Sequence, residues 1–280
     1  MTKITIGSAN PINFKHLTCL RKIIRDGPVL ITTHDNPDPD ALASGKAINY
    51  LINTIWGIPT QVIYNGLVGR AENRAMFQRL TPEWEHRDHL DDLSKFSALV
   101  FVDCQPGSRT LVPIDENLPK IVIDHHYPIV EQSRNAAYAD IRPKIGSTVT
   151  MIYQYLDAAR ATIDPVLATA MFLGLRADTD GLSRGSTIED GVVYVKLLER
   201  LDPQLLLKIE SAGLARDYYQ AFFQGIQSAR IHGKSIISHL GNMHRSDLAA
   251  ELADLLLRYE SIDTAFCSGV YKQEIHFSIR

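Results

Sequence analysis

The chain has 280 residues, 45% of them apolar and 22% charged, with 29 Lys and Arg set against 32 Asp and Glu for a formal net charge of −3. Such a composition can bury one sizeable core and a second, smaller one, and it excludes disordered and fibrous chains. The near-neutral balance also excludes a protein that coats long duplex nucleic acid, because phosphate affinity grows with clustered Lys and Arg; a small anionic ligand stays open.

The opening MTKITIGSANPINFKHL lacks an apolar core followed by a small-residue cleavage site, so no secretory leader is expected. No uninterrupted apolar run approaches the roughly 18 residues that a bilayer span needs, and no membrane partner is expected. PVLITTH (28–34) reads as a buried strand, and ALASGKAINYLINTI after Asp40 has near-helical apolar spacing at Ala41, Leu42, Ala47, Ile48, Leu51, Ile52 and Ile55. The same unit recurs in TQVIYNG followed by AENRAMFQRL, then in SALVFVDC (97–104) and KIVIDHH (120–126). Val- and Ile-rich strands alternating with helices predict an α/β fold with a mainly parallel sheet and helices on both faces.

GSTVTMIYQYLDAAR (146–160) predicts a helix capped by Ser147 or Thr148, and DPVLATAMFLGLRADTDG a further helix ending near Asp178. The stretch from IEDGVVYVKLLERLDP through ARDYYQAFFQGIQSAR is helical and amphipathic and links two domains. HGKSIISHLGN then reads as a strand, RSDLAAELADLLLRYE as a helix, and DTAFCSGVYKQEIHFSIR as one or two more strands. The expected organisation is a domain at 1–200, a helical linker at 201–225 and a small α/β unit at 226–280. Cys19, Cys104 and Cys267 are odd in number, far apart and outside any CxxC spacing, as reduced thiols of a cytoplasmic protein would be.

His34, Asp38 and Asp40 fall where the first strand meets its helix, and later strands end in Asp103 and in Asp124, His125 and His126. Ligands of open α/β sheets bind outside the carboxyl ends of the strands, so groups remote in sequence converge there. Singly, each residue has an ordinary explanation: NPDPD makes a turn, a strand-end Asp caps a helix, a His packs or is solvated. Jointly, His34, Asp38, Asp40, Asp103, His125 and Asp178 gather four carboxylates and two imidazoles on one edge. Without cations those carboxylates repel and raise one another's pKa values. Divalent metals resolve the conflict; the mixed donor set favours Mn²⁺ and also admits Mg²⁺, Co²⁺, Fe²⁺ or Zn²⁺. Cys104, one residue past Asp103, points to the opposite face and reads as core. No glycine fingerprint for a dinucleotide follows the first strand, and GLVGRAE (66–72) has the wrong spacing.

HDNPDPDALASG, VDC, DHH, GSTVT and ADT resemble, in that order, the motifs of the DHH phosphoesterases, a superfamily of oligoribonucleases, single-strand exonucleases, exopolyphosphatases and manganese pyrophosphatases. The resemblance covers nearly the whole chain and is specific as an ordered set, which the DHH triplet alone is not. RSDLAAELADLLL and YKQEIHFSIR look like the first part of the DHHA1 domain of the oligoribonuclease-like members. The resemblance implies that His34 and Asp38 hold one metal, that Asp40, His125 and Asp178 hold the other, and that Asp103 bridges both. Asp124 then orients a neighbouring imidazole, and His126 faces the scissile phosphate or the leaving oxygen. Two such metals activate water and neutralise phosphoryl charge during in-line attack.

Arg109, just beyond Asp103, and Arg184, after ADTDGLS, offer cations to complete a phosphate clamp; taken alone, each reads equally well as half of a surface ion pair. Ser278 and Arg280 resemble the Ser-x-Arg element by which the DHHA1 domain meets substrate phosphate. Alternation in EIHFSIR sets Ile275, Phe277 and Ile279 on one face and Ser278 and Arg280 on the other, which suits an exposed arginine. Aromatic residues fit to stack on a base are scattered, and none stands out. Asp180 stands where many relatives have Gly, either tuning the second metal or capping a turn. The chain ends at Arg280, before the glycine-rich, His-containing segment with which such members continue, which leaves substrate selectivity less defined than the metal site.

The implied activity is hydrolysis of phosphodiester or phosphomonoester bonds in short oligoribonucleotides, dinucleotides or small nucleotides. An exopolyphosphatase is the alternative within the enzyme class, and a non-catalytic nucleotide-binding regulatory module the alternative outside it. A homodimer is the general expectation for such a fold.

Overall fold

The computed structural model describes residues 4–6, 12–25, 27–112, 115 and 117–280. The chain divides into two compact units, Met1–Ser211 and Ala212–Arg280. The first runs through β1 (Ile4–Ile6), α1 (Phe14–Ile24), β2 (Val29–Thr32), α2 (Pro39–Asn49, prolonged by a π-helical turn over Tyr50–Ile55), β3 (Thr60–Tyr64), α3 (Ala71–Leu80), β4 (Glu85–His86), β5 (Ala98–Val102), β6 (Lys120–Asp124), α4 (Glu131–Arg134), β7 (Tyr138–Ile141), α5 (Thr148–Ala158), α6 (Pro165–Thr179), α7 (Ile188–Leu198) and α8 (Pro203–Glu210). Its strands form one sheet in the order β1-β7-β6-β5-β2-β3-β4, and every pair is parallel.

The alternation of the strands sorts their side chains between two cores. Val29, Ile31, Val100, Val102, Ile121 and Ile123 pack with Leu20, Leu42, Ile48, Ile152 and Leu175 from α1, α2, α5 and α6. Leu30, Leu99, Phe101 and Val122 point the other way and pack with Phe96, Val112 and Ala136 from the segments that connect the strands. Both faces are therefore buried, which is why these strands read as continuous apolar runs. The long helices lie mostly on the first face.

Helices α2 and α6 cross closely because Gly174 has no side chain. A Cβ there would sit 2.8 Å from Ala43 Cβ and 2.9 Å from the Pro39 carbonyl oxygen. This approach carries the last turn of α6, with Asp178, toward the first turn of α2, with Asp40.

Three strands, β1, β4 and β7, leave no clear apolar run in the sequence. In β7 (YADI) the run is broken by Asp140, which is buried only because Arg142 forks across it, Nε to Oδ1 at 2.7 Å and Nη2 to Oδ2 at 2.5 Å, while the Tyr155 hydroxyl donates to Oδ2 at 2.8 Å.

The second unit comprises α9 (Arg216–Ser228), β8 (Arg230–His232), β9 (Ser235–Asn242), α10 (Leu248–Leu256), β10 (Thr264–Tyr271) and β11 (Glu274–Ile279). Its sheet has the order β11-β10-β9-β8 and is mixed, with only β9 and β10 parallel. Ala221 of α9 and Leu248 and Leu252 of α10 pack on Ile236, Leu240, Ala265 and Cys267; α9 falls largely in the stretch expected to link the domains, yet it belongs to this core. The alternation of β11 is seated the opposite way from a strand that buries its apolar side. Ile275, Phe277 and Ile279 are exposed and Ser278 is buried, because Ser278 pairs across from the buried Cys267 on the side that the helices cover. Among the described residues, no helix is long and apolar enough to cross a membrane.

Candidate metal centre

The carboxyl ends of the central strands place the titratable groups. His34 lies two residues past β2, Asp103 directly follows β5, and His125 and His126 directly follow β6. Asp38 is the N-cap of α2, its Oδ1 accepting from the Ala41 amide at 3.1 Å, and Asp40 sits in that helix's first turn. Asp178 occupies the last turn of α6. Asp103 adopts a positive φ of 60°, a conformation that Asp and Asn tolerate better than other side chains.

Ligating atoms of three sets come within 4.8 Å of one another: His34, Asp38 and Asp103; Asp40, His125 and Asp178; and Asp103, His125 and His126. His34 Nε2 is 3.5 Å from both Asp38 Oδ2 and Asp103 Oδ2. His125 Nε2 is 3.1 Å from Asp178 Oδ2, 3.6 Å from Asp103 Oδ1 and 3.8 Å from Asp40 Oδ2. Asp103 thus turns one oxygen to each histidine.

The orientation of both rings is fixed from behind. His34 Nδ1 is 2.9 Å from the Asp35 carbonyl oxygen and His125 Nδ1 3.1 Å from that of Ile145. A carbonyl only accepts, so each Nδ1 carries its hydrogen and each Nε2 is directed at the carboxylates, the arrangement of a metal-ligating histidine. His34 Nε2, His125 Nε2 and Asp103 Oδ2 are all buried without a hydrogen-bond partner. Buried polar atoms are nearly always paired; three orphans facing one another form a donor set that fits divalent cations.

The electrostatics agree. Burial opposes charge on both rings, but the adjacent carboxylates of Asp103 and Asp38 lift His34 to about 11, and those of Asp178, Asp103 and Asp40 lift His125 to about 10. Burial and the neighbouring carboxylates Asp103 and Asp178 push Asp40 well above the carboxylate range; burial, with help from Asp38, raises Asp103. Asp38 is held down to about 2: burial opposes its charge, but His34 outweighs it. Bound cations invert this logic, replacing shared protons as the counter-charge.

Residues 28–175 match the N-terminal domain of the DHH family. The chain belongs to the DHH family. It is 31% identical over 257 residues to an uncharacterised protein of Methanocaldococcus jannaschii, covering 91% of this chain and 52% of that one, so it spans about half the length of that relative. It is 22% identical over 244 residues to a probable manganese-dependent inorganic pyrophosphatase of Streptococcus pyogenes, with 85% of this chain and 76% of that one covered. In fold it is similar to the crystal structure of an exopolyphosphatase-related protein from Bacteroides fragilis, with a TM-score of 0.78, 15% identity and coverage of 95% of this chain and 82% of that one.

Within the DHH triplet the three residues point differently. His125 turns to the metal donors, whereas Asp124 accepts from His126 Nδ1 at 2.7 Å through Oδ1 and from Gln105 Nε2 at 2.9 Å through Oδ2. Burial works against the Asp124 charge, but His126 and Gln105 outweigh it and hold its carboxyl below the usual range. His126 Nε2 meets the Arg109 guanidinium, and the Arg109 carbonyl accepts from the Asp35 amide at 2.7 Å. Arg184 donates to the Asp178 carbonyl at 3.2 Å. Both arginines therefore touch residues of the DHH motifs. Ser278 and Arg280 lie in the second unit, where Ser278 is buried and Arg280 Nε meets Asp254 Oδ1 at 2.5 Å.

Several supporting residues carry weak sequence signals. Asp40 accepts from Ser44 Oγ at 3.2 Å, Ser147 Oγ at 2.8 Å and the amides of Thr148 and Val149 at 2.8 and 3.0 Å, the last two at the N-terminus of α5. Thr148 Oγ1 also donates to Asp103 Oδ1 at 2.8 Å, which explains the GSTVT motif physically. Asp190, buried, gathers the Gly146 amide, Thr150 Oγ1 and Thr187 Oγ1 at 2.9, 2.6 and 2.6 Å; only its local capping box is legible beforehand. Asp180 is the left-handed C-cap of α6 at φ 47° and is exposed, so it ends a helix. Cys104 is buried in the core of the second face, where burial pushes its thiol pKa well up.

Proposed function

We propose that this protein is a divalent-metal-dependent phosphoesterase that hydrolyses short oligoribonucleotides, dinucleotides or other small nucleotides in the cytoplasm. The observation that carries the reading is the convergence of the buried, unpartnered atoms His34 Nε2, His125 Nε2 and Asp103 Oδ2 at the strand ends. In this reading His34 and Asp38 hold one ion, Asp40, His125 and Asp178 hold a second, and Asp103 serves both. Mn²⁺ is the preferred ion, in keeping with the mixed donors and with the name of the pyrophosphatase relative. When bound, the ions supply an activated water and neutralise charge on the phosphoryl group.

The chain's own residues do the rest. Arg109 and Arg184, both exposed beside the donors, attract the phosphate and fix its orientation. His126 is held by Asp124 through Nδ1 and meets Arg109 at Nε2; when Arg109 turns to the phosphate, that Nε2 is freed to take up a proton and pass it to the leaving oxygen. The Asp124 and Gln105 hydrogen bonds keep that ring from turning.

Release of mononucleotide from a labelled RNA dinucleotide and pentamer, with Mn²⁺ and with chelator and with polyphosphate in parallel, tests the reading. Mn²⁺-dependent release from RNA supports it. Turnover of polyphosphate alone would replace it with an exopolyphosphatase, a reading favoured by the fold shared with the Bacteroides fragilis protein. No turnover with both ions bound would replace it with a nucleotide-binding module.

A further inference from the structure

Tyr127, directly after the DHH triplet, is 82% exposed, and among the described residues its ring has no stacking or hydrogen-bond partner. Large exposed aromatics are common on mobile loops, but this one leaves a fixed backbone. Gln105, 3% exposed, donates from Nε2 to the carbonyls on either side of Tyr127, those of His126 at 3.2 Å and Pro128 at 3.3 Å. Its Oε1 accepts from the Val130 amide at 2.9 Å and the buried Ser133 Oγ at 3.0 Å. One buried amide therefore clamps the whole segment that presents the ring. The preceding residue, His126, has Nδ1 3.7 Å from Asp103 Oδ1, so Tyr127 is next along the chain to a residue that reaches the centre.

Two more loops at the same sheet edge present exposed apolar side chains from pinned backbone. Leu111 is 68% and Leu67 51% exposed. The Leu111 amide donates to Asp35 Oδ1 at 3.2 Å and the Leu67 amide to Asn36 Oδ1 at 2.8 Å, both partners lying between His34 and Asp38. An apolar rim does nothing for an inorganic phosphate chain, which wants only cations and donors. It suits a flat base, whose face stacks on an aromatic ring regardless of base identity, and a pre-positioned ring loses little freedom when it does so.

We infer that Tyr127 is a nucleobase-stacking platform beside the metal centre, with Leu111 and Leu67 on its rim, and that nucleotides rather than inorganic polyphosphates are the substrate class. The inference rests on the centre's being a phosphate site. Its test compares AMP with ribose 5-phosphate, which differ only in the base, as ligands of the Mn²⁺-loaded protein by calorimetry. Wild type should favour AMP by about tenfold, the scale of one base–aromatic stack. Tyr127→Ala should bring the ratio close to one with ribose 5-phosphate affinity and metal stoichiometry retained, and Tyr127→Phe should keep the preference. An equal preference in Tyr127→Ala, or none in wild type, overturns the platform and leaves the phosphoesterase reading intact. Because binding is scored without turnover, an AMP preference that disappears in Tyr127→Ala supports the platform even where hydrolysis fails.

Discussion

Divalent-metal binding should tighten steeply as pH rises. In the metal-free protein His34 Nε2 lies 3.5 Å from two carboxylate oxygens and His125 Nε2 3.1 Å from a third. Burial alone would keep both rings neutral, but the carboxylates lift them to about 11 and about 10. At neutral pH both Nε2 atoms therefore hold the proton that an ion must displace, and filling the centre expels at least these two protons, with the raised Asp40 carboxyl adding to them. Each proton makes affinity change tenfold per pH unit, so between pH 6.5 and 7.5 the overall association constant for the pair of ions should rise at least about a hundredfold, or about 2.7 kcal/mol. Calorimetric titration with Mn²⁺ in buffers of different ionisation enthalpy counts the protons directly. An observed enthalpy independent of the buffer would mean that no proton leaves and would refute this account of the centre. The same raised values stabilise the metal-free fold: that contribution is complete below about 6.5, the unfolded histidine value, and is lost as pH rises through about 10 to 11. Melting temperature in chelator should fall across that alkaline range.

Asp103→Asn preserves the side chain's shape and its tolerance of positive φ but removes the shared charge; both ions should be lost by elemental analysis, and activity with them. His126→Ala should retain both ions while turnover drops by about 10² to 10⁴, the usual worth of a proton-transferring group. Gly174→Ala forces a Cβ to within 2.8 Å of Ala43 Cβ; chemical denaturation should show a loss of about 1–3 kcal/mol, and an unchanged midpoint would disprove the tight crossing. In the second unit, burial and Asp247 raise Glu251 to about 7. Its folded form prefers the proton, so stability present below the unfolded value of 4.5 is lost as pH climbs to about 7. Glu251→Gln should then raise the melting temperature at pH 8 and leave it unchanged at pH 4.

The candidate donors His34, Asp103 and His125 are legible in the sequence because each follows a run that stays apolar for its own reason. Strands buried on two faces announce themselves, and parallel topology carries their ends to one edge, which is how His34, Asp103 and His125 are found together. What stays hidden depends on partners that spacing does not reveal. Asp140 masks β7 because its cost is met by Arg142 and Tyr155. Gln105 shows nothing distinctive beforehand, since its role exists only once five acceptors and donors from residues 124–133 surround it. The seating of β11 is invisible for a similar reason: alternation says which residues share a face, and only the helices beside Ser278 decide which face is buried. The stacking surface absent from the sequence reading emerges from exposure at Tyr127, a property of the folded chain alone.

The donors are scattered from His34 to Asp178, on loops and helices that meet only after β2, β5, β6, α2 and α6 have assembled. Contacts so distant along the chain form late in folding, which makes ions poor nucleators here. They should leave the refolding rate nearly constant and slow the opening of the finished unit, as interactions absent from the transition state do. Metal loading would then set how long the folded first unit survives, and hardly how fast it is reached.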